Sequence, residues 1–269
     1  MDGDPRNEII ALYEAQPDLL SLPGLLFDGI HRLINADVVS FSEFHHPSRD
    51  FRSVVSVEDD PERRRRAMRA FASHMQSHPF WQFDPAFFGE RALRESDFFT
   101  EEEFLALPIA REVLLPCGTR HIMVVVVEHE HYVVKVTGQR APGRAAFSDE
   151  ERDRFEAFRP HVLRSYRQAQ ERTLAKLTPT ERLRLAFPKL TPRQLEVASL
   201  IASGKSNEEI AIILGTGIDA VKAHVKAIYG KIDSDNRRAM AAIAHTTPPS
   251  AKLRPLWKLD LDAWNGKGE

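Results

Sequence analysis

The stretch from residue 191 to residue 237 is the most constraining part of this sequence, because its turn-forming residues divide it into three short helices. Thr191 and Gln194 have the spacing of a capping box, in which each side chain bonds the backbone N–H of the other residue. A first helix should therefore begin there and end at Gly204. Asn207 can cap the second helix, and glycines flank the next turn.

The third helix carries apolar residues at alternating spacings of three and four, a pattern that places one buried stripe along a helix. This stripe consists of Ile218, Val221, Val225, Ile228 and Ile232. The second helix should bury a similar set in the same core, namely Ile210, Ile213 and Leu214. Lys222, Ala223 and Lys226 lie off the stripe of the third helix, so we expect them to face outward together.

Three short helices with an outward lysine face have the layout of a helix-turn-helix, which lays its last helix in the major groove of DNA. Lys222 and Lys226 can donate hydrogen bonds to guanine or to phosphates, and the small Ala223 permits close approach to a base. The alternative is a small helical bundle whose lysine face is solvated, which is the usual role of charged faces.

A second polar group stands at the start of the second helix. The hydroxyl of Ser206, the amide of Asn207 and the free backbone N–H groups there suit a phosphate oxygen, and Lys205 adds positive charge. The sequence therefore predicts phosphate contacts at this helix start, beside base contacts from the third helix.

The same stretch resembles the DNA-binding domain of the LuxR-type transcriptional regulators, without gaps over about a fifth of the chain. The matching residues are Leu190-Thr191-Pro192-Arg193, Glu196-Val197, Gly204-Lys205-Ser206-Asn207, Glu209-Ile210-Ala211, Leu214, Val221-Lys222, His224, Ile228, Lys231 and Arg237. The resemblance implies that Lys222, Ala223 and Lys226 face the bases, and Arg237 joins the predicted DNA-binding residues. It also implies that two copies pair through the helix after the third. The expected partners are a second copy of the chain and double-stranded DNA with a pseudo-palindromic operator.

The first part of the chain alternates strand-like and helical patterns, which predicts an α+β domain on an antiparallel sheet with flanking helices. Two β-rich runs, at 37–45 and 51–57, precede a helix that begins at Asp60-Pro61. A hairpin is expected from the runs 121–127 and 131–137. No element is predicted for most of the Phe- and Pro-rich segment before this hairpin.

A long helix should begin at Ser148, which forms a capping box with Glu151, and Pro160 should kink or divide it. The order of elements resembles GAF- or PAS-like sensor domains. The segment FSDEERDRFEAFRPHVLRSY is similar to the closing segment of sensors that are fused to LuxR-type domains.

Four regions follow from these patterns. We expect a sensor or regulatory domain at 1–175, a proline-containing linker at 176–190, an all-α bundle of four helices with the helix-turn-helix at 191–247, and a tail at 248–269.

A dense aromatic cluster in the first domain is the candidate ligand site, because small-molecule pockets are mostly apolar. It consists of Phe80, Trp81, Phe83, Phe87 and Phe88. The alternative is a packed core beneath an irregular segment. The Trp, Tyr and Asp pattern expected for acyl-homoserine-lactone receptors is not evident, so no ligand is named.

Other chemistries have little support in the sequence. His74 and His78 stand four residues apart but lack an H-E-x-x-H pattern, and Cys117 is more simply an inert thiol than a redox sensor. No metal, cofactor or enzymatic activity is predicted. With one cysteine, no basic start followed by an apolar run and no long apolar segment, we expect a soluble cytoplasmic protein without membrane contact.

The combined prediction is a sequence-specific DNA-binding transcriptional regulator whose first domain senses a small molecule and controls dimer geometry. The alternative is a regulator whose first domain only dimerises or binds a protein partner, without a small-molecule ligand.

Overall fold

The structure is a computed structural model that describes residues 5–57, 61–81, 85–89, 91–232, 237–246 and 255–258. The chain divides into two compact units, Met1–Arg172 and Thr173–Glu269. The first unit contains an antiparallel sheet with flanking helices, and the described residues of the second form helices only. The predicted fold class, an α+β domain followed by an all-α bundle, is therefore confirmed.

The sheet of the first unit has five described strands. They are β1 (Val38–His45), β2 (Asp50–Val55), β3 (Leu93–Arg94), β4 (His121–His129) and β5 (Tyr132–Arg140). Their order across the sheet is β2-β1-β5-β4-β3, and every neighbouring pair is antiparallel. The predicted strand pair and the predicted hairpin are confirmed, whereas the two-residue β3 was not predicted.

The described residues of the first unit form six α-helices. They are α1 (Pro5–Glu14), α2 (Leu22–Ile34), α3 (Pro61–His74), α4 (Pro85–Phe88), α5 (Glu101–Ala106) and α6 (Asp149–Lys176). The last of these, α6, continues past the division between the units. Among the described helices of the chain, none is long and apolar enough to cross a membrane.

The sheet presents two different faces, because successive side chains of a strand point to opposite sides. The helix face carries Val39, Phe41, Glu43, Val134 and Val136, and α2 and α6 pack against it. Gly138 permits the close approach of α2, since a Cβ at this position would lie 2.5 Å from Ile34 Cδ1. The opposite face, named the cavity face after the cavity that lies on it, carries Ser40, Ser42, Val133, Lys135, Thr137 and Gln139.

The sequence predicted that Pro160 would kink or divide α6; the structure shows one helix of 28 residues, so Pro160 does not divide it. Its start is as expected, because Ser148 and Glu151 exchange the two hydrogen bonds of a capping box, at 2.8 and 3.2 Å. Proline removes one backbone donor from a helix. Burial of the neighbouring Phe158 and Val162, which are 1% and 0% exposed, holds the helix together on either side of Pro160.

A buried polar group links α6 to the sheet. The carboxyl group of Glu43 is fully buried, forms an ion pair with Arg52 and accepts a hydrogen bond of 2.9 Å from the hydroxyl of Tyr166. Burial raises the pKa of Glu43, although the charge of Arg52 acts in the opposite direction. An unpartnered carboxyl group in this position would be costly, so both partners are needed.

The irregular segment before β4 covers the cavity face with an aromatic core. Phe80, Phe88 and Phe104 are buried there with the apolar side chains of β4. His78 is 1% exposed within this core, and its Nδ1 accepts the backbone N–H of Phe80 at 3.2 Å. Because burial disfavours the imidazolium, the pKa of His78 is lowered to about 4.

The second unit packs five described helices around one core. They are α7 (Pro179–Ala186), α8 (Pro192–Ala202), α9 (Asn207–Ile213), α10 (Ile218–Ile232) and α11 (Arg237–His245). The core includes Leu183, Val197, Ile201, Ile210 and Val221. The unpredicted helix α7 lies within 176–190, the region expected to be a linker. It begins with a capping box between Thr178 and Glu181, and its Leu183 is fully buried.

Replacing Tyr166 with Phe should destabilise the first unit by about 1.5–3 kcal/mol, because the buried Glu43 loses a hydrogen-bond donor. Tyr13→Phe is the matched control, since the Tyr13 hydroxyl bonds His161 Nδ1 in a partly buried position and should contribute at most about 1 kcal/mol. Equilibrium unfolding in urea measures both losses. Equal losses in the two variants would contradict the role given to the buried bond.

His78 should make the first unit less stable as the pH falls. The pKa of His78 is about 4 in the fold and 6.5 ordinarily, so between these values the unfolded chain binds a proton that the folded chain does not. The free energy of unfolding should fall by up to about 3 kcal/mol from this residue. His78→Asn retains an acceptor for the Phe80 N–H but does not titrate. The stability difference between wild type and this variant should therefore change between pH 7 and 4.5, and parallel pH curves would refute the assignment.

Candidate nucleic-acid interface and effector cavity

The start of α9 is defined by Ser206. Its backbone N–H donates to Glu209 Oε2 at 2.7 Å, and the N–H of Glu209 donates to Ser206 Oγ at 3.2 Å. Asn207 is the first residue of the helix and not its cap, so that prediction was wrong. The reason is the capping box itself, which requires the acidic side chain three residues after the cap.

The outward face of α10 has the predicted composition. Val221, Ile228 and Ile232 are buried in the core of the second unit, whereas Lys222, Ala223 and Lys226 are exposed. The side chain of Lys222 is 60% exposed. The helix thus presents two ammonium groups and a small methyl group one turn apart on an accessible face, as its apolar spacing predicted.

The start of α9 lies beside this face. The pKa of Glu208 is lowered, mainly by hydrogen bonds from its own backbone N–H and from Ser206, and additionally by the charge of Lys222. Lys205 reaches Glu209 Oε1 at 3.3 Å, and Asp219 Oδ1 lies 3.8 Å from Lys222 Nζ. The candidate interface therefore brings together residues of both helices, and its lysines have carboxylates nearby.

Other basic residues of the second unit hold the fold together. Lys231 Nζ donates to Gln194 Oε1 at 2.7 Å and to the carbonyl of Lys189 at 3.0 Å. Arg193 donates to the carbonyl of Leu214 at 3.2 Å, at the end of α9. These groups connect α8 with α9 and α10, so they orient the candidate interface. Arg237 begins α11, but its side chain lies outside the described part of the structure.

The prediction that Ile213 of α9 is buried in the core was wrong. Ile210 is buried as expected, but the side chain of Ile213 is 53% exposed and that of Ile212 is 81% exposed. The helix has only seven residues, so a single turn of it faces the core. Ile210 and Ala211 occupy that position and leave Ile213 on the outside.

A cavity of about 150 Å³ lies on the cavity face of the sheet in the first unit. Its polar lining includes Ser40, Ser53, Thr119, Thr137 and Gln139. The apolar lining includes Phe51, Phe71, Trp81, Val113 and Ile122. None of the described residues that line it is charged. The cavity is thus mostly apolar with a row of neutral hydrogen-bonding groups, which is the usual composition of a small-molecule site.

Hydrogen bonds orient the polar wall of this cavity. Thr119 Oγ1 donates to Gln139 Oε1 at 2.6 Å, and Gln139 Nε2 donates to Ser40 Oγ at 3.4 Å. Lys135 is on the same strand face but donates to the carbonyl of Phe80 at 2.6 Å, and burial lowers its pKa to about 7. Lys135 thereby anchors the residue next to Trp81, which forms part of the wall.

Of the described residues of the predicted aromatic ligand site, Trp81 alone lines this cavity. Phe80 and Phe88 are 2% and 3% exposed within the packed core, and Phe87 stacks on Phe98 at 5.6 Å. Phe83 lies outside the described residues. The sequence analysis did not predict the polar wall. A signal for it was present, because hydroxyl and amide side chains stand at alternate positions of apolar strands, as in VVSFS and VTGQ.

The histidine pair and the cysteine occupy separate surroundings. His74 Nε2 lies 2.9 Å from Glu112 Oε2, whereas His78 is buried among aromatic rings. Across the described ranges, no group of three His, Cys, Asp or Glu side chains is arranged to hold a metal ion. Cys117 lines the cavity, and the neighbouring Arg120 pairs with Glu95 and Glu101.

Comparison with known proteins concerns mainly a part of the second unit. Residues 188–244 match the family described as bacterial regulatory proteins, luxR family. The transcriptional regulatory protein LiaR of Bacillus subtilis is 38% identical over 74 residues, which cover 28% of this chain and 35% of LiaR. The Escherichia coli HTH-type protein YhjB is 36% identical over 52 residues, covering 19% of this chain and 26% of YhjB. The chain thus spans about a third or less of the length of these relatives.

Two solved structures are similar to longer parts of the chain. Escherichia coli SdiA is 17% identical, with a TM-score of 0.46, over 93% of this chain and 98% of its own. The LBD domain of VqsR from Pseudomonas aeruginosa is 16% identical, with a TM-score of 0.43, over 61% of this chain and 94% of its own.

The matched family is described as one of bacterial regulatory proteins. Its range contains the helices α8, α9 and α10 and most of α11. Every matching residue group that the sequence analysis singled out lies inside it. The chain therefore carries, at residues 188–244, a domain of the luxR family of bacterial regulatory proteins.

Proposed function

We propose that this protein is a sequence-specific DNA-binding transcriptional regulator that inserts α10 into the major groove. The observation that carries the proposal is the exposed face of α10, on which Lys222, Ala223 and Lys226 stand together beside the start of α9. A recognition helix needs such a face, since base edges are read by side chains that project away from the core.

The proposed contacts divide into two kinds. Lys222 and Lys226 read guanine edges or adjacent phosphates, and Ala223 approaches a base closely. Lys205, Ser206 and Asn207 hold a phosphate at the start of α9, where backbone N–H groups are available. In the same proposal, Arg237 contacts the phosphate backbone of the DNA. Phosphate contacts position the helix, and base contacts supply the specificity.

We further propose that the first domain, residues 1–175, binds a small effector in its cavity and sets the geometry of a homodimer on a pseudo-palindromic site. The support is the neutral, mostly apolar cavity of about 150 Å³. Helix α6 packs on the sheet of this domain and continues in sequence toward the DNA-binding domain, residues 191–247. An effector regulates the protein only if it binds two dimer geometries with different affinities.

Selection of duplexes from a random library with the full chain tests the DNA proposal. The double variant Lys222→Ala, Lys226→Ala should lose about 1–3 kcal/mol of binding free energy for each base contact removed. The slope of log affinity against log salt should fall by about 0.9 for each phosphate contact removed. Fluorescence anisotropy over a salt series measures both quantities.

Lys176→Ala is the control for this experiment, because Lys176 lies at the end of α6 and the substitution removes one positive charge, half of the change in the double variant. It should leave the affinity within about twofold. Unchanged affinity in the double variant, or failure to enrich any duplex, would refute the assignment of α10.

The carboxylate of Asp219 should weaken DNA binding. It is 94% exposed and lies 3.8 Å from Lys222 Nζ, so it competes with DNA for this ammonium group. Asp219→Asn should raise the affinity about two- to fivefold at low salt, and the gain should shrink as salt increases. Glu196→Gln is the matched control, because Glu196 pairs with Arg193 on α8. Equal gains in both variants would mean that net charge alone controls binding.

A further inference from the structure

A groove of about 470 Å³ runs along helix α2 of the first unit, apart from the cavity on the sheet. It is lined by residues of α2 together with Ser56, which directly follows β2. Leu25 and Phe27 give it apolar walls, and Asp28 adds one carboxylate. Its remaining polar lining includes His31 and Ser56, whose side chains contact each other.

Ser56 and His31 have the geometry of a nucleophile and its general base. Ser56 Oγ lies 3.1 Å from His31 Nε2, and His31 Nδ1 lies 2.8 Å from the carbonyl oxygen of Ala36. A carbonyl oxygen can only accept a hydrogen bond, so Nδ1 carries the hydrogen, and Nε2 of the neutral ring accepts the Ser56 hydroxyl. The Ala36 carbonyl thus orients the imidazole as an Asp side chain does in a Ser-His-Asp triad.

The backbone of β1 fixes the position of Ser56. The N–H of Val39 donates to Ser56 Oγ at 2.9 Å, and the N–H of Ser56 donates to the carbonyl of Val39 at 2.8 Å. A hydroxyl group has one hydrogen and two acceptor sites, so one lone pair of Oγ stays available for attack. His31 and Ser56 are both half-buried and both line the groove, so a reagent in the groove can approach Oγ.

The chain has a second Ser–His contact that lacks this orientation. His45 Nδ1 lies 2.8 Å from Ser48 Oγ, but His45 Nε2 is buried and has no hydrogen-bond partner among the described residues. No acceptor therefore fixes which nitrogen of His45 carries the hydrogen. Ser48 is exposed and does not line the groove. Ser48 serves as an internal comparison, because it has the same neighbour as Ser56 without the orienting carbonyl.

We propose that Ser56 is a nucleophile that accepts a neutral acyl group from an activated ester or thioester, with His31 as its general base. Oγ bonds the acyl carbon while its proton passes to His31 Nε2. The bond to the leaving alcohol or thiol then breaks, and this group takes the proton from Nε2. A neutral acyl group is favoured because Asp28 places a negative charge in the groove. This reaction is separate from the proposed DNA binding and effector sensing.

The proposed step modifies each chain once and does not turn over rapidly. Fast acyl transfer needs donors that stabilise the oxyanion, and the N–H of Val39 donates to Oγ itself instead. Acylation removes the hydroxyl hydrogen, so Ser56 loses its bond to His31. Because this bond joins the last turn of α2 to the end of β2, the acylated chain should unfold at a lower urea concentration.

Treatment of the full chain with p-nitrophenyl acetate tests the proposal. Peptide mapping by mass spectrometry follows the acetylation of each serine over time, and the exposed Lys176 reports the reagent dose. Ser56 should be acetylated in wild type. In His31→Gln it should react about a hundredfold more slowly, because the amide can bond Ser56 but does not take up its proton. Ser56→Ala should lose this modification and no other.

Two other serines are controls within the same protein. Ser21 lines the groove but bonds Asp18 Oδ1 at 3.0 Å, and Ser48 contacts the unoriented His45. Both should react as slowly as Ser56 does in His31→Gln. Circular dichroism confirms folding of each variant, and the comparison of the three serines in wild type needs no variant.

Three results would overturn the proposal. The first is equal acetylation of Ser56 in wild type and in folded His31→Gln, and the second is equal acetylation of Ser56 and Ser48. The third is an unmodified Ser56 in a sample whose Lys176 has reacted.

Discussion

Reciprocal capping hydrogen bonds are the interaction on which the helices of this protein depend most. Thr191 with Gln194 and Ser206 with Glu209 decide where α8 and α9 begin, and so decide which side chains face the core. Gln194 has a second role, because its Oε1 also accepts the ammonium of Lys231 at 2.7 Å. One side chain thus closes the start of α8 and holds the end of α10, whose outward face is the candidate DNA-binding surface.

Charge alone does not explain how that surface would bind DNA. The carboxylates of Asp219 and Glu208 lie beside Lys222, and Lys205 pairs with Glu209. Each DNA contact must displace or tolerate a neighbouring carboxylate, so the electrostatic gain per lysine is smaller than for a purely basic face. Under the proposed function, fit to the groove and simultaneous use of two half-sites would then be the main sources of affinity.

The cavity and α6 lie on opposite faces of the same sheet. The strands connect Ser40 and Thr137 of the cavity with the helix face, because the adjacent residues Phe41 of β1 and Val136 of β5 belong to that face. Glu43, two residues further along β1, bonds Tyr166 of α6. A shift of β1 would therefore reach α6 through one buried hydrogen bond and the ring contact between Phe41 and Tyr166.

Local signals in the sequence predicted the starts of α6 and α8 and the outward lysines, because capping spacings and apolar periods act over a few residues. Two such signals were missed. The spacing of Ser206 and Glu209 makes Ser206, and not Asn207, the cap of α9, and the spacing of Thr178 and Glu181 begins a helix in the expected linker. The cavity could not be predicted in this way, since its walls come from distant segments joined by strand pairing. Pro160 does not divide α6 for a similar reason: packing against the sheet keeps the helix continuous through a residue that can break it.

Lysine footprinting by mass spectrometry is the most direct test of the central claim that α10 enters DNA. The full chain is labelled with an acylating reagent, free and bound to a duplex selected from a random library. Lys222 and Lys226 should lose most of their reactivity in the complex, while Lys176 at the end of α6 keeps it. Equal reactivity of Lys222 and Lys226 in the free and bound protein would contradict the account.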